Sequence, residues 1–359
     1  MADEKRLQED LVLSNAPHIR SKDSVRKVMW LVVISLLPVT INSIYLFGYQ
    51  VLLIIGAAVV TAVAAEAAYQ FLLKRKVTAL DGSAALTGLL LAMNVPPHAP
   101  VWMVVLGSVF AIIIAKQLFG GIGFNIFNPA LAGRAFLMAS WPVEMTTTWH
   151  PFSSGNVLSS SLPGVQSLSQ EAVDTITSAT PLGVLKDGPG LLKDLAVAPG
   201  QLYEFLFSGE MLKSLFMGNI GGCIGETSAL FILIGAAFLL YKRIITWHIP
   251  VSYIGTVVVI MLMYYLFIDS DMPYRAILFH LLSGGLMLGA FYMATDMVTS
   301  PVTARGMIIF GAGCGIITSV IRLWGGYPEG VSYSILLMNA AVPLIDRLTK
   351  PRVFGTEKN

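Results

Sequence analysis

Long apolar runs alternate with short polar ones along almost the whole chain. A helix crosses the hydrocarbon core of a bilayer in about 20 mostly apolar residues. Ten runs approach that length: Val28–Phe47, Val51–Leu73, Gly82–Val95, Val101–Leu118, Phe124–Trp141, Cys223–Tyr241, Ile249–Ile268, Ala276–Met293, Gly306–Arg322 and Val331–Leu348. The third is short and ends at Asn94-Val95-Pro96-Pro97, which reads as half a span or a broken helix. One polar interval, residues 142–213, separates five runs from five. It is rich in Ser, Thr, Gly and Pro and has no regular period until Gln201–Leu215, where a short amphipathic helix on the membrane surface is expected.

This pattern predicts an all-α polytopic membrane protein of about ten transmembrane helices. Its parts are a tail (1–27), a five-helix half (28–141), a long loop (142–213), a second five-helix half (214–348) and a closing tail (349–359). Because five is odd, two such halves would be inverted repeats, an arrangement common in transporters. Ser83-Ala84-Ala85-Leu86 after Asp81-Gly82 is echoed by Thr227-Ser228-Ala229-Leu230 after Gly225-Glu226. Asn128-Pro129-Ala130 is echoed more faintly by Asn339-Ala340-Ala341-Val342-Pro343.

Composition sharpens the picture. Hydrophobic residues make up 55% of the chain and charged residues 12%, with a mean hydropathy of +0.72. That charge content is about half of what a soluble domain carries, so a water-soluble monomer and a disordered chain are excluded. A net charge of +2 gives no footing for nucleic acid. The two cysteines, Cys223 and Cys314, form no CxxC pair or Cys/His cluster, and no metal site is expected. Placing the N-terminal tail in the cytoplasm puts 17 of the 23 Lys and Arg residues on that side, among them Lys74, Arg75, Lys76, Lys242 and Arg243. Five, including Arg275 and Arg322, fall outside. The positive-inside rule then sets both termini in the cytoplasm and the 142–213 loop on the outer face.

Within that loop stands Asp174-Thr175-Ile176-Thr177-Ser178-Ala179-Thr180-Pro181. The residue before a proline is held extended, which presents the Thr180 hydroxyl. The segment resembles the target motif of the bacterial flavin transferase, Asp-x-x-(Ser/Thr)-Gly-Ala-(Thr/Ser), which receives FMN through a phosphoester on its last hydroxyl. Asp174, Thr177, Ala179 and Thr180 match in register, and Ser178 replaces the usual glycine. Gly123-Phe124-Asn125-Ile126-Phe127-Asn128-Pro129-Ala130-Leu131-Ala132-Gly133-Arg134, Gly218-Asn219-Ile220-Gly221-Gly222 and Met293-Ala294-Thr295-Asp296-Met297-Val298-Thr299-Ser300-Pro301 extend the likeness. Together they are similar to the family uniting the D subunit of the Rnf ion-translocating ferredoxin:NAD oxidoreductase with the B subunit of the Na+-translocating NADH:quinone oxidoreductase. The Asn15-Ala16-Pro17-His18 tail and the length favour the former.

The resemblance implies a flavin-carrying subunit of a six-subunit redox pump in the bacterial inner membrane, exporting Na+ or H+. It implies covalent FMN on Thr180, matured by a flavin transferase, an extracytoplasmic FMN subunit as electron partner, and room for a second, noncovalent flavin (riboflavin). No NAD site is expected on this chain. Ionisable residues near spans default to functional roles, so Arg134, Glu226, Asp296 and Glu66, with Asn128 and Asn219, are candidate flavin or ion-path contacts. Arg134 would hold a flavin's anionic part or pair with Glu226. The rival class is a channel or secondary transporter for a small solute, which would need no flavin-transferase target.

Overall fold

The computed structural model describes residues 24–146, 180–186, 203–204, 206–218, 220–267 and 273–350. Each of the ten apolar runs is helical, and among the described residues there is no strand. We number them α1 (Val25–Phe47), α2 (Tyr49–Leu72), α3 (Ser83–Met93), α4 (Val101–Gln117), α5 (Pro129–Ser140), α6 (Ala229–Tyr241), α7 (His248–Phe267), α8 (Pro273–Leu282 with Leu286–Met293), α9 (Ala304–Trp324) and α10 (Val331–Leu348). The chain is thus a multi-pass membrane protein.

The ten helices differ in length, and the third is short, as expected. Among the described residues, α1, α2, α7, α9 and α10 are long and apolar enough to cross a bilayer, and α8 joins them only if its two pieces, bent by 63°, count as one span. The short helices have local causes. α3 ends at Asn94, ahead of Pro96 and Pro97. α5 starts at Pro129 because the Asn128 side chain caps it, accepting from the amides of Ala130 (3.0 Å) and Leu131 (3.4 Å). α6 begins only after its cap, Ser228. The 142–213 interval, expected to be irregular as far as Gln201, also contains helical turns at Pro142–Thr146 and 181–186, and a helix at Gly209–Met217 whose Met211 and Leu215 are buried.

Both halves are built in the same pairing order. α2 packs on α3 and α4, and α4 on α5; α7 packs on α8 and α9, and α9 on α10. Between the halves, α1 meets α6 and α5 meets α10. Small residues allow these approaches: a Cβ at Gly88 of α3 would lie 2.6 Å from the Ala58 carbonyl oxygen of α2, and one at Gly315 of α9 would lie 2.9 Å from that of Tyr253 in α7.

The inner ends of α3 and the stretch before α6 meet each other. The Ile224 amide donates to Val95 O (3.1 Å) and the Gly225 amide to Met93 O (2.7 Å). Gly225 is required here, since a Cβ would fall 2.6 Å from that of Met93. Pairing of this kind satisfies backbone that has left the helix where no water can do so.

The break in α8 is served by a side chain. Arg322, counted above as a loop cation, is instead buried in the last turn of α9. It donates to His280 O (2.5 Å), Ser283 O (3.2 Å) and Glu329 O (3.1 Å), carbonyls that the break and the α9–α10 turn leave without helical partners. Each buried acceptor left unpaired costs about 1–3 kcal/mol. Arg322→Leu is therefore expected to lower thermal stability in detergent by several kcal/mol, with Arg322→Lys intermediate. A melting curve unchanged by Arg322→Leu would contradict this role.

Candidate functional site

Two polar centres lie in the membrane domain, one toward each end of the helices. The first is on the face where the basic loops lie. Glu66 of α2 is buried and meets Lys116 of α4 at 2.8 Å. Lys116 also donates to Ser83 Oγ (2.6 Å), and the amides of Gln117 (2.7 Å) and Gln70 (3.3 Å) donate to Glu66 Oε1. Lys116 and Gln117 lie on a widened, five-residue turn at Ile113–Gln117, which carries them to the α2–α3 junction. The charges are thus paired and hydrogen-bonded, which is what burial demands.

Beside this pair opens a cleft lined by apolar side chains of α1, α3, α6 and α8 and by Lys116, Asn128 and Asp296. Asn128 is placed there by its capping role, and its amide donates to Met293 O (3.2 Å). Asp296 is tied into the turn after α8, accepting from Thr299 Oγ1 (3.0 Å) and the Val298 amide (3.4 Å). Burial raises its carboxyl above the usual range, against those two hydrogen bonds.

The second centre lies toward the opposite end. Arg134, in the second turn of α5, is buried and reaches four elements. Nη1 donates to Asn94 Oδ1 (2.9 Å) at the end of α3 and to Ser332 Oγ (3.0 Å) at the start of α10. Nη2 pairs with Glu329 in the α9–α10 turn and lies 3.8 Å from Cys223 Sγ. Glu226, just before α6, stands 3.5 Å from Nη1. The pairing of Arg134 with Glu226 read from sequence is present. Glu329, the stronger partner, escaped sequence reasoning, because an acid in a short Gly-rich turn has no signature until the fold brings it beside α5.

Thr180 sits over this centre. It is half-buried, its hydroxyl accepts from the Gly183 amide (3.1 Å), and its carbonyl accepts from Val184 (2.9 Å), capping the turn at 181–186. A narrow pocket is lined by Thr180, Gly221, Gly222, Glu226 and Glu329. The structure thus brings Thr180, Arg134 and Glu226 to one place and sets Glu66, Asn128 and Asp296 around the other. Asp174, Thr177, Ser178, Ala179 and Asn219 lie outside the described residues.

A helical membrane domain with broken helices around two buried charge centres defines a transport-type or redox membrane protein, and sequence comparison narrows it. Residues 12–355 match the NQR2, RnfD, RnfE family, and the chain belongs to it. It is 47% identical over 349 residues to the D subunit of a Na+-translocating ferredoxin:NAD+ oxidoreductase complex from Acetobacterium woodii, covering 97% of this chain and 96% of that one. It is 46% identical over 348 residues to the D subunit of a proton-translocating ferredoxin:NAD+ oxidoreductase complex from Clostridium ljungdahlii, covering 96% of each. The D subunit of an ion-translocating oxidoreductase complex from Stutzerimonas stutzeri is 42% identical over 341 residues, covering 93% of each.

Removing one member of a buried ion pair strands the other and typically costs about 3–5 kcal/mol. Lys116→Met is expected to destabilise by about that amount in a detergent melt, while Lys116→Met with Glu66→Gln recovers most of it. If Lys116→Met melts like the wild type, the Glu66 charge is compensated elsewhere.

Proposed function

We propose that this chain is the D-type subunit of an Rnf-type complex, carrying FMN as a phosphoester on Thr180 and relaying electrons between ferredoxin and NAD while the complex moves Na+ or H+ across the membrane. The whole-length likeness to D subunits of such complexes supports the assembly. The observation that carries the flavin reading is Thr180 itself: the last hydroxyl of the Asp174–Thr180 motif, at the mouth of a cavity. The group fits there. The hydroxyl is not buried, it lines a pocket, and Gly221 and Gly222, where an added Cβ would meet nothing closer than 4.0 Å, leave the neighbouring wall low.

Bound there, the flavin would supply one-electron chemistry; the residues around it do the rest. The 181–186 turn holds Thr180 in place through the Gly183 and Val184 amides. Arg134 is not spare to hold a phosphate, because its donors are used on Asn94, Ser332 and Glu329. By the positive-inside rule the basic face is cytoplasmic. Thr180 then faces outward, within reach of an extracytoplasmic flavin protein of the complex, and both termini lie on the cytoplasmic side of the bacterial inner membrane. A second, noncovalent flavin (riboflavin) is assigned to the cleft beside Lys116 on the cytoplasmic side, whose apolar walls and few polar groups suit a flat ring. The broken helices alone would also suit a solute transporter, but such a protein has no use for the Thr180 motif.

Loss of the Thr180 cap costs about 1 kcal/mol, so Thr180→Val should fold. From cells with an active flavin transferase, denatured wild-type protein is expected to keep flavin fluorescence on a gel, Thr180→Ser to keep some, and Thr180→Val to lose it together with electron transfer. Fluorescence that persists in Thr180→Val would place the attachment elsewhere, and its absence from the wild type would remove the covalent flavin.

A further inference from the structure

The helical turn at 181–186 is too short to hold itself. A helix standing alone in water needs about 12–15 residues, so tertiary contacts decide where this turn sits and where Thr180 at its head points. Two of its side chains are driven into the core: Leu182 is 3% exposed and Val184 6%. Leu182 fills the break of α8. Gly284 there has a left-handed φ of +67°, and a Cβ on it would fall 2.8 Å from Leu182 Cδ1. The far end of the turn is held by a charge. Lys186 Nζ donates to Ile321 O (3.2 Å) in the last turn of α9 and to Tyr327 O (2.8 Å) in the α9–α10 turn. The C-terminal end of a long helix is negative, which favours a cation at that place. The same α9–α10 turn gives the Glu329 carboxylate to Arg134 and the Glu329 carbonyl to Arg322. Lys186 therefore fastens the Thr180 turn to a connection that is itself fixed from below.

We propose that Lys186 and Leu182 are positioning residues that lock the Thr180 hydroxyl, and the flavin assigned to it, onto the outer ends of α8 and α9. The turn is then held at its head by the Gly183 and Val184 amides, in its middle by Leu182 and at its foot by Lys186. A redox group on a loose tether samples many distances from its partner, whereas a locked one keeps a single distance and orientation. Reactive groups work only when their supports hold them in place, and a misplacement of about 1 Å can cost about a hundredfold in rate. The locking of the turn stands on these contacts alone; its consequence for electron transfer rests on the flavin attachment proposed above.

The test uses the purified whole complex with Lys186→Met, Lys186→Arg and Leu182→Ala. Covalent flavin on the gel is expected to stay at the wild-type level in all three. In Lys186→Met the fluorescence anisotropy of this flavin, with the Thr180→Val complex as background, is expected to fall. Electron transfer through the complex should slow about tenfold or more. Lys186→Arg, which keeps a cation able to reach the two carbonyls, is expected to restore both. Leu182→Ala should act like Lys186→Met, and it serves if that variant fails to assemble. Hydrogen–deuterium exchange of the Gly183 and Val184 amides reads the lock without any flavin, and both amides should exchange faster in Lys186→Met and Leu182→Ala. A lower melting temperature with anisotropy, transfer rate and exchange unchanged would make these residues merely structural and overturn the proposal. A wild type without covalent flavin would count against the flavin reading, and the exchange measurement would still decide the lock.

Discussion

One buried guanidinium holds the two halves of the membrane domain in register. Arg134 rises from α5 in the first half and finds Asn94 at the broken end of α3, then Ser332, Glu329 and Glu226 in the second half. A cation at bilayer depth is costly, and it is tolerated only when its donors are met. Here the partners sit at helix ends: Asn94, Glu226 and Glu329 on backbone outside the helices and Ser332 in the first turn of α10. The breaks after Met93, before Ala229 and before Val331 are therefore not defects in ten clean spans; they are what brings polar groups to a single cation.

The same rule governs the rest of the domain. Arg322 quiets the carbonyls freed where α8 bends, and the paired backbone of Met93, Val95, Ile224 and Gly225 does so where two helix ends meet. Tyr253 of α7 ties α9 and α10 together through Thr318 (2.6 Å) and Ser334 (3.0 Å). Among the described residues, buried ion pairs gather at the two centres, Lys116–Glu66 on the basic face and Arg134–Glu226–Glu329 on the other.

Much of this was legible in the sequence. Hydropathy located all ten helical runs, matched the ends of α10, and ended the third run at Val95, two residues past the last helical residue Met93. It overran α5 and α6, because apolar residues continue past the caps Asn128 and Ser228 into irregular backbone that hydropathy cannot tell from helix. It also missed the bend at Ser283-Gly284-Gly285, where two glycines in an apolar run carry no polarity signal. Single intramembrane charges were easy to notice, and Arg134 with Glu226 was found as a pair. Glu329 and the true setting of Arg322 were not, since both depend on a turn folding back over α5 and α8. Thr180 was singled out as a hydroxyl before proline; that it sits over the Arg134 centre is a fact of tertiary structure alone.

The account turns on whether Arg134 and Glu329 act as one unit, and a double-mutant cycle measures that directly. Melting of the wild type, Arg134→Met, Glu329→Gln and the double variant would be compared in one detergent–lipid mixture. Each single change is expected to cost about 3–5 kcal/mol by stranding its partner, and the double variant to recover at least about 2 kcal/mol of the sum. Additive losses, with no coupling between the two positions, would contradict the central role given to this pair.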